Sequence, residues 1–414
     1  MSVLRGRSVL SRAELAALTG LPKTTVTGVI GRLLQRGLVA ERAVTDPSRS
    51  GPGRPATGLA LAAPAGAIGV VALSHVAIRA AVVGFDGHVL AQRHDRLPAA
   101  DSERPVLELG QRLLAEAVAA AGSGAGTASE TAASGAVAGA IAAAGTGDAG
   151  TAAAHASGIA AVLSCVVLGI PAPFERGVGV VSAAIPDELH EVAPAPSSAL
   201  RWFGVDPTAA VSAALGVPVI TDNDANLGAL GEATFGAGQG IGSFLYVKVA
   251  EGLGAGLVLN GQLYRGARGL AGELAHVQVV DDGPWCMCGG RGCLAHAFGG
   301  FLTPFIEAAY RRPFGFAEVR GFAELGEAGT HRIVTDAGRR VGRVLADVCA
   351  VLCPEAIIVD GMLGAAGPSF AAGVREMIDR HTSTAVAQTV KVINSTLGDE
   401  AELLGAAALA RHER

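Results

Sequence analysis

The stretch HVQVVDDGPWCMCGGRGC, residues 276–293, places one imidazole and three thiols within eighteen residues. Three Cys and one His make a closed, tetrahedral ligand set of the kind that structural zinc requires. The Gly-Gly-Arg-Gly spacer permits the tight turn that brings Cys288 and Cys293 onto one ion. The stretch therefore predicts a structural zinc site with His276, Cys286, Cys288 and Cys293 as ligands. The alternative is a chance cluster of small buried hydrophobes.

The chain has the composition of a soluble protein, with 414 residues, half of them hydrophobic, and a net charge of −5. Much of the hydrophobic share is Ala, which buries little area per residue. No apolar run of about eighteen residues lacks a breaker, and the N-terminus has no secretory pattern. We therefore expect a cytoplasmic protein of about two to three domains with no membrane partner, whose thiols bind metal instead of forming disulfides.

Charge is unevenly spread along the chain. Residues 1–62 carry nine Arg or Lys against three acids, a net charge of +6, whereas the remainder carries −11. A basic N-terminal segment (the head, residues 1–62) followed by an acidic remainder (the body) predicts that the head binds a polyanion. The alternative is sampling noise in a short segment.

Residues 1–62 have the pattern of a winged helix-turn-helix domain. Ser11 and Glu14 form a capping box that opens a helix, and Gly20 ends that helix. A second helix follows Pro22, and its apolar stripe recurs at steps of three and four residues at Val26, Val29, Ile30, Leu33 and Leu34. A short strand then starts at residues 38–40. Two helices, a turn and a strand predict a DNA-binding head, and the alternative is a helical hairpin with a solvated polar face.

The residues expected to meet double-stranded DNA lie off the apolar stripe. The N-terminal part of the second helix of such a motif enters the major groove and contacts phosphates or base edges. Its polar residues here are Lys23, Thr24, Thr25 and Thr27. The segment RSGPGR at 49–54 is flexible and basic, so Arg49 and Arg54 are expected at a wing tip in the minor groove.

Residues 63–414 alternate strands and helices and predict an α/β body with a mixed sheet. Residues 122–157 are almost wholly Ala, Gly, Ser and Thr and cannot bury enough area to offset their ordering entropy, so we expect a mobile insertion there. The pattern predicts strands at 160–169, 217–221, 244–249, 256–259, 356–359 and 389–393. It predicts helices at 106–121, 207–215, 225–235, 301–311, 330–349, 369–381 and 401–411.

Two carboxylates flank a glycine-rich hairpin in the body. Asp224 lies just past a predicted strand, and in open α/β folds ligands bind at the carboxyl ends of strands. Glu273 lies three residues before His276, so zinc would hold the loop that carries it. The pair, with the amide of Asn223, suits a polyhydroxylated ligand, and the alternative for this segment is a helix N-cap cluster. The glycines of 252–256 have two explanations, a phosphate cradle or a tight hairpin.

The sequence resembles the ROK family (repressors, open reading frames and kinases), in particular its repressors with a winged helix in front. The resemblance covers nearly the whole chain outside 122–157. Its motifs are SRAELA with TGL at 11–21, GRPA at 53–56, GIPAP at 169–173, NDAN at 223–226, ALGE at 229–232, GLGAG at 252–256, AGELAH at 271–276 and CxCGxxGC at 286–293. The zinc motif is the most specific of these.

The resemblance implies an actin-like, sugar-kinase-type fold of two lobes around a cleft, assembled as a homodimer or a dimer of dimers. It also implies a sugar effector bound by Asn223, Asp224, Glu273 and His276. In the family's kinases, the residue that matches Asp224 is the general base on a sugar hydroxyl. His276 would then serve twice, with one ring nitrogen on the metal and the other on the sugar.

Departures from the family pattern separate a kinase from a repressor. Family kinases begin the body with an Asp-x-Gly-Gly-Thr loop that holds ATP phosphates and magnesium, and the matching stretch here is ALSHV at 72–76. Glu251 stands in place of the Thr before Gly252, and Met362 stands where kinases usually have a second Gly near the adenine. The loss of all three predicts that ATP is not bound, that the chain is no enzyme, and that Asp224 is a vestigial general-base position.

Three further departures touch the sugar site, since Ala295 replaces a Glu and Ala172 and Ala275 replace Gly. The sequence as a whole predicts a sugar-responsive transcriptional regulator, a repressor of carbohydrate uptake or catabolism genes, with an operator DNA and a sugar as its partners. Two alternatives stay open. One is a sugar kinase with an accessory DNA-binding head, and the other is a constitutive DNA-binding protein that no sugar reaches.

Overall fold

The computed structural model of the chain describes residues 10–35, 39–43, 57–61, 67–98, 104–122, 156, 158–160, 162–180, 206–250, 252–286, 288–296, 311 and 316–413. Two five-stranded sheets make up the body, and a small separate group of elements precedes them. No helix within these ranges is both long enough and apolar enough to span a bilayer.

The N-terminal elements are two helices and a two-stranded sheet. The bounds are α1 (Arg12–Thr19), α2 (Lys23–Gln35), β1 (Val39–Ala43) and β2 (Thr57–Leu61). The predicted capping box is confirmed, because Ser11 N donates to Glu14 Oε2 (2.8 Å) and Glu14 N donates to Ser11 Oγ (3.2 Å). Gly20 ends α1 in the left-handed conformation. Strands β1 and β2 are antiparallel, and their buried side chains pack with the predicted stripe of α2.

The first sheet of the body has the strand order β5-β4-β3-β6-β9. Strands β3, β4 and β5 form an antiparallel meander, whereas β6 runs parallel to β3 and β9 runs parallel to β6. The strand bounds are β3 (Ala67–Leu73), β4 (Ala77–Gly84), β5 (Val89–Arg96), β6 (Leu163–Ile170) and β9 (Val219–Asn223). Helices α3 (Arg104–Gly122) and α4 (Pro207–Leu215) pack with this sheet, and a short hairpin, β7 (Phe174–Glu175) with β8 (Gly179–Val180), follows β6.

The second sheet repeats the topology of the first. Its order is β12-β11-β10-β13-β14, with three antiparallel strands followed by two parallel ones. The strand bounds are β10 (Phe244–Val249), β11 (Leu253–Leu259), β12 (Gln262–Tyr264), β13 (Ala356–Val359) and β14 (Lys391–Asn394). The helices around it are α6 (Phe316–Glu324), α7 (Ala328–Leu352), α8 (Gly367–His381) and α9 (Thr384–Thr389). Short 3₁₀ turns cover Leu274–His276, Gly361–Ala366 and Gly398–Glu400.

A pair of helices joins the two sheets. Helix α5 (Asp224–Phe235) contacts strands of both sheets and packs along α10 (Ala401–His412). The two helices cross closely, since a Cβ on Gly405 would overlap the carbonyl oxygen of Leu227. This crossing brings the start of α5 and the start of α10 to the same place between the sheets.

Most of the predicted elements are present in the structure. The helix 207–215 and the strands 244–249 and 356–359 have the predicted bounds, and α10 is one residue longer than predicted. The strand predicted at 160–169 is β6, and it begins at Leu163 instead of residue 160. The last five residues of β5 are exposed, as in an edge strand. Residues 123–155 and 157 of the predicted insertion and 301–310 of the predicted helix lie outside the described residues.

Candidate functional site

The carboxyl end of β9 leads directly into helix α5, and this junction carries Asn223 and Asp224. Asn223 is the N-cap of α5, and its Oδ1 accepts from the backbone N–H groups of Ala225 (2.9 Å) and Asn226 (3.2 Å). Its Nδ2 donates to the carbonyl oxygen of Ala172 (3.1 Å). The N-cap alternative is therefore correct for Asn223, and one N–H of its amide is left for a ligand.

Asp224 is held by a lysine that sequence reasoning missed. Lys248 Nζ lies 2.8 Å from Asp224 Oδ2 and 3.1 Å from Glu402 Oε2. The side chains are 13% exposed for Lys248 and 11% for each carboxylate, so the three charges lie almost wholly out of water. Burial opposes the charge on Lys248, but the carboxylates of Asp224, Glu402 and Asp360 more than offset it and raise the pKa of the lysine. We refer to Asp224, Lys248 and Glu402 as the lysine cluster.

The lysine cluster joins three elements of the body. Lys248 lies on β10 of the second sheet, Asp224 is the first residue of α5, and Glu402 lies in the first turn of α10. Glu402 Oε1 has no hydrogen-bond partner among the described residues and is aimed at Gly169, where a Cβ would collide with it. The sequence did contain a signal for this ion pair, namely a lysine within the apolar strand FLYVKV. A buried ammonium in such a strand requires a charged or hydrogen-bonding partner.

Glu273 immediately precedes the 3₁₀ turn Leu274–His276, and the charge of Asp224 acts on its carboxyl. Burial, and after it the negative charge of Asp224, raises the pKa of Glu273 to about 7. The loop that carries Glu273 lies against β11. Gly272 has φ +99°, and a side chain there would overlap the carbonyl oxygen of Ala255. Only glycine permits this approach, which positions the carboxyl.

The predicted metal ligands converge. The ligand atoms of His276, Cys286, Cys288 and Cys293 all lie within 4.8 Å of one another, with His276 Nδ1 at 3.5 Å from Cys286 Sγ and Cys288 Sγ at 3.5 Å from Cys293 Sγ. Gly292, at φ +64°, makes a turn against Val280 that no side chain would allow. This part of the structure is a possible His/Cys₃ metal-binding cluster.

The electrostatics of the cluster suit a divalent cation. Burial together with the thiols of Cys288 and Cys286 raises the pKa of Cys293 to about 12, because a further thiolate beside them is unfavourable. A bound cation reverses this effect and deprotonates coordinating thiols. Burial and the charge of His296 lower the pKa of His276, which favours the neutral imidazole that a metal requires. The donor set, three sulfurs and one nitrogen, fits zinc.

The turn between β3 and β4 lies against the start of the glycine-rich hairpin of β10 and β11. In the turn between β3 and β4, Ser74 Oγ accepts from Val76 N (3.2 Å) and Ala77 N (3.0 Å). The His75 ring packs on Gly252, since a Cβ built on that glycine would lie 2.9 Å from His75 Nε2. An imidazole therefore occupies the space between the two loops. Glu251 lies outside the described residues.

Asp222 forms a second charged group that sequence reasoning did not identify. Its Oδ2 accepts from Arg265 Nε (3.0 Å) and Nη2 (2.5 Å) and from Arg176 Nη2 (3.3 Å). Arg176 also pairs with Glu413 near the end of α10. Arg265 follows β12 and Asp222 lies on β9, so this group ties the two sheets together at the same edge as Asn223.

The other predicted site residues have the following positions. Lys23, Thr24, Thr25 and Thr27 are all exposed in the first two turns of α2, and Thr27 Oγ1 donates to the Lys23 carbonyl oxygen (2.9 Å). Ala172 and Ala275 are buried, and Ala295 is half-buried. Arg49 and Arg54 of the predicted wing tip lie outside the described residues.

Two sheets of one topology, joined by α5 and α10 with an acid at the carboxyl end of β9, define a two-lobed α/β fold of the sugar-kinase type. The chain belongs to the ROK family, since the profile of that family matches residues 161–413. A solved ROK family transcriptional regulator, a homologue of the E. coli MLC protein, superposes with a TM-score of 0.66 at 21% identity. The superposition covers 97% of this chain and 91% of that one, and it supports the fold.

Curated relatives include repressors and kinases. The xylose repressor of Bacillus subtilis is 26% identical over 56% of this chain, and the chain spans only 60% of that repressor's length. The xylose repressor of Caldicellulosiruptor bescii is 23% identical over 99% of this chain and 93% of its own length. A glucokinase of Streptomyces coelicolor is 33% identical over 49% of this chain and 69% of its own length.

Proposed function

We propose that this chain is a sugar-responsive transcriptional regulator that represses genes of carbohydrate uptake or catabolism. The observation that carries the proposal is the ion pair of Asp224 with Lys248. Asp224 stands at the position of the general base in the family's kinases, and here its Oδ2 is bound to the ammonium of Lys248. Both carboxylate oxygens of Asp224 already accept hydrogen bonds, Oδ2 from Lys248 Nζ (2.8 Å) and Oδ1 from Ala225 N (2.8 Å), and their remaining lone pairs can still accept from a sugar hydroxyl. Xylose repressors among the relatives support the same function.

The DNA partner is read by helix α2. Its N-terminal part presents an exposed ammonium and three exposed hydroxyls, at Lys23, Thr24, Thr25 and Thr27, free of the buried stripe below them. A helix N-terminus also attracts phosphate through its unpaired N–H groups. Two copies of the head, in a homodimer or a dimer of dimers, would meet two half-sites of an operator, with Arg49 and Arg54 on the wing.

The sugar partner is bound at the carboxyl end of β9. Asn223 offers an N–H, and Asp224 and Glu273 offer carboxyl oxygens to the hydroxyls of a sugar. His276 lies three residues after Glu273 in the same loop. Its Nδ1 lies 3.5 Å from Cys286 Sγ, so Nε2 is left to contact the sugar. Closure of the two sheets on the sugar would shift the dimer between two geometries, of which one fits the operator.

Zinc is the metal that we assign to His276, Cys286, Cys288 and Cys293. With four protein ligands it would act as a cross-link without chemistry of its own. The residues themselves position Glu273, because the 3₁₀ turn that contains His276 begins one residue after it.

ATP turnover is not part of the proposed function. The His75 ring lies against Gly252 where two loops would have to admit phosphates, and Asp224 is ion-paired. The second candidate is a sugar kinase with a DNA-binding head, and the likeness to a glucokinase favours it. A coupled assay with ATP and a panel of aldoses tests it, and we expect no turnover. Phosphorylation of any aldose at ordinary enzyme rates of about 1–10³ s⁻¹ would establish the kinase.

The proposed function is tested by DNA selection from a genomic library with the full chain, with and without D-xylose or D-glucose. We expect recovery of a two-fold symmetric sequence without sugar and its loss when the effector sugar is present. If the same DNA sequence is recovered with every sugar and without sugar, the chain is a constitutive DNA-binding protein. The departures from the family's sugar site at Ala172 and Ala295 are compatible with that result. A Lys23→Ala, Thr25→Ala double variant controls for binding by the rest of the head.

A further inference from the structure

The segment that follows β12 lies across the two lobes of the body. The first sheet and the hairpin of β7 and β8 form the first lobe, and the second sheet forms the second lobe. The segment starts at Arg265, directly after β12, and ends on the 3₁₀ turn Leu274–His276. We refer to residues 265–276 as the strap. Glu273 and His276, which we propose as sugar ligands, both lie on it, so their positions depend on where the strap is held.

Two arginines of the strap bind carboxylates of the first lobe. Arg265 donates from Nε (3.0 Å) and Nη2 (2.5 Å) to Asp222 Oδ2 on β9. Arg268 donates from Nε (3.0 Å) and Nη2 (2.9 Å) to Glu175 Oε2 on β7. Hydrogen bonds between ionised partners are about twice as strong as those between neutral partners. The strap continues the chain of the second lobe, so these ion pairs cross-link it to the first lobe.

Two glycines of the strap bring its backbone against both lobes. Gly269 has φ +76°, and a Cβ built on it would lie 2.3 Å from the Phe174 carbonyl oxygen on β7 of the first lobe. A Cβ on Gly272 would lie 2.1 Å from the Ala255 carbonyl oxygen on β11 of the second lobe. No side chain fits at either contact. A change in the angle between the lobes must therefore break one of these contacts or bend the strap.

The ion pair of Arg265 with Asp222 joins the two parts of the proposed sugar site. Asp222 directly precedes Asn223 and Asp224 at the carboxyl end of β9. Arg265 begins the strap that carries Glu273. The two parts come from different sheets, so no short covalent path fixes the distance between them. The ion pair fixes this distance one residue away from Asn223.

The two ion pairs differ in their exposure to water. The side chains of Arg265 and Asp222 are 26% and 4% exposed, and those of Arg268 and Glu175 are 64% and 21% exposed. Loss of one partner from a buried pair can unfold a protein, whereas an exposed pair has little effect on global stability. The pair of Arg268 and Glu175 can therefore be broken or reversed in a chain that stays folded.

We propose that Arg265 and Arg268 are positioning residues, which dock the strap on the first lobe and so hold its two sugar ligands against the carboxyl end of β9. The inference rests on the proposed function, since it concerns the sugar site of that function. Sugar binds only when the strap is docked, so the apparent affinity is the intrinsic affinity multiplied by the docked fraction. The two arginines act on sugar binding through the strap, without contact to the sugar.

The experiment reverses the exposed pair in the full chain. Arg268→Glu places two carboxylates together, so it replaces an attraction by a repulsion of similar size. We expect amide hydrogen exchange in peptides of the strap, measured by mass spectrometry, to rise about tenfold. The affinity for sugar, measured by calorimetry with a panel of aldoses that includes D-xylose and D-glucose, should fall at least about threefold. Arg268→Glu combined with Glu175→Arg restores the attraction and should return both quantities to within about twofold of wild type.

Arg339→Glu is the matched control, because it reverses an exposed pair that does not involve the strap. Arg339 Nε donates to Glu376 Oε2 (2.8 Å), and these side chains are 43% and 47% exposed. The pair joins α7 to α8, which both pack on the second sheet. Its reversal should lower the free energy of unfolding in urea by a similar amount as Arg268→Glu. It should leave the exchange of the strap and the affinity for sugar unchanged.

The outcomes separate the inference from the proposed function. A folded Arg268→Glu protein whose strap exchanges at the wild-type rate overturns the inference. Faster exchange without any loss of sugar affinity also overturns it, because docking would then not position the sugar ligands, and so does a double variant that binds sugar as weakly as Arg268→Glu alone. In each of these cases the wild type still binds sugar and the proposed function stands. Absence of binding of every aldose by the wild type overturns the proposed function and the inference together.

Discussion

Replacement of Lys248 by Met should destabilise the body strongly at neutral pH. The substitution keeps most of the volume of the side chain and removes the ammonium, which leaves Asp224 and Glu402 beside each other with side chains 11% exposed. Loss of one partner from a buried ion pair costs about 3–5 kcal/mol. Uptake of one proton by the carboxyl pair limits this cost, and protonating a carboxyl of pKa about 4 at pH 7 costs about 4 kcal/mol. We expect a loss of about 3 kcal/mol at pH 7, measured as the free energy of unfolding in urea.

The dependence of this loss on pH has a definite sign. In the variant, the pKa of one orphaned carboxyl rises above its unfolded value, so the folded state binds a proton that the unfolded state releases near neutrality. The contribution of that group to stability is present at low pH and disappears as the pH rises through the raised pKa. The difference between variant and wild type should shrink to about 1 kcal/mol at pH 5, because protonation there is less costly.

Two further variants make the argument specific to the cluster. Lys391→Met removes an exposed lysine from the neighbouring strand β14 and should change stability by about 0.5 kcal/mol or less. Lys248→Met combined with Glu402→Gln removes the surplus carboxylate and should recover most of the loss. The reasoning is refuted if Lys248→Met unfolds at the wild-type urea concentration, or if its loss is the same at pH 5 and pH 7.

Three other perturbations test the head, the metal cluster and the helix crossing. Lys23→Ala should weaken DNA binding similarly for all sequences and reduce the slope of log affinity against log salt by about 1, measured by fluorescence anisotropy at several salt concentrations. Cys288→Ser should lose bound zinc, as measured by elemental analysis. It should also lose the response to sugar but keep weak DNA binding. An unchanged sugar response in the zinc-free protein would disprove the proposal that the metal holds the loop that carries Glu273. Gly405→Ala should destabilise the body by about 2 kcal/mol or more, because its Cβ overlaps the Leu227 carbonyl oxygen, whereas Gly321→Ala, with open space around it, should be neutral or stabilising by thermal unfolding.

Features that depend on neighbours in the chain were predictable from the sequence. The capping box of Ser11 and Glu14 involves residues three apart, and the stripe of α2 follows the helical repeat. The four candidate metal ligands lie within eighteen residues, so their spacing alone indicated that they converge. The junction of β9 and α5 was also predicted as a ligand site from residues that are neighbours in the chain. For Asn223 the sequence left two explanations open, a ligand contact and a helix N-cap.

Pairings between remote residues were not predictable in this way. Lys248 is 24 residues from Asp224 and 154 from Glu402, and Arg265 is 43 residues from Asp222. No local pattern connects such residues, since the sequence shows only one lysine within an apolar strand. The contact of His75 with Gly252 likewise depends on how the turn after β3 meets the hairpin of β10 and β11.

The sequence by itself determined the basic helix-turn-helix pattern, the α/β body, the likeness to a sugar-kinase fold, and the four candidate metal ligands that the structure brings together. The tertiary structure decided the charge of the site, because it placed an ammonium from β10 between carboxylates at the starts of α5 and α10. The physical reason is that covalent spacing and short-range hydrogen bonds depend on residues close together in the sequence. The energy of a charge, in contrast, depends on its distance from other charges and on its removal from water. Both quantities exist only after remote segments have packed together.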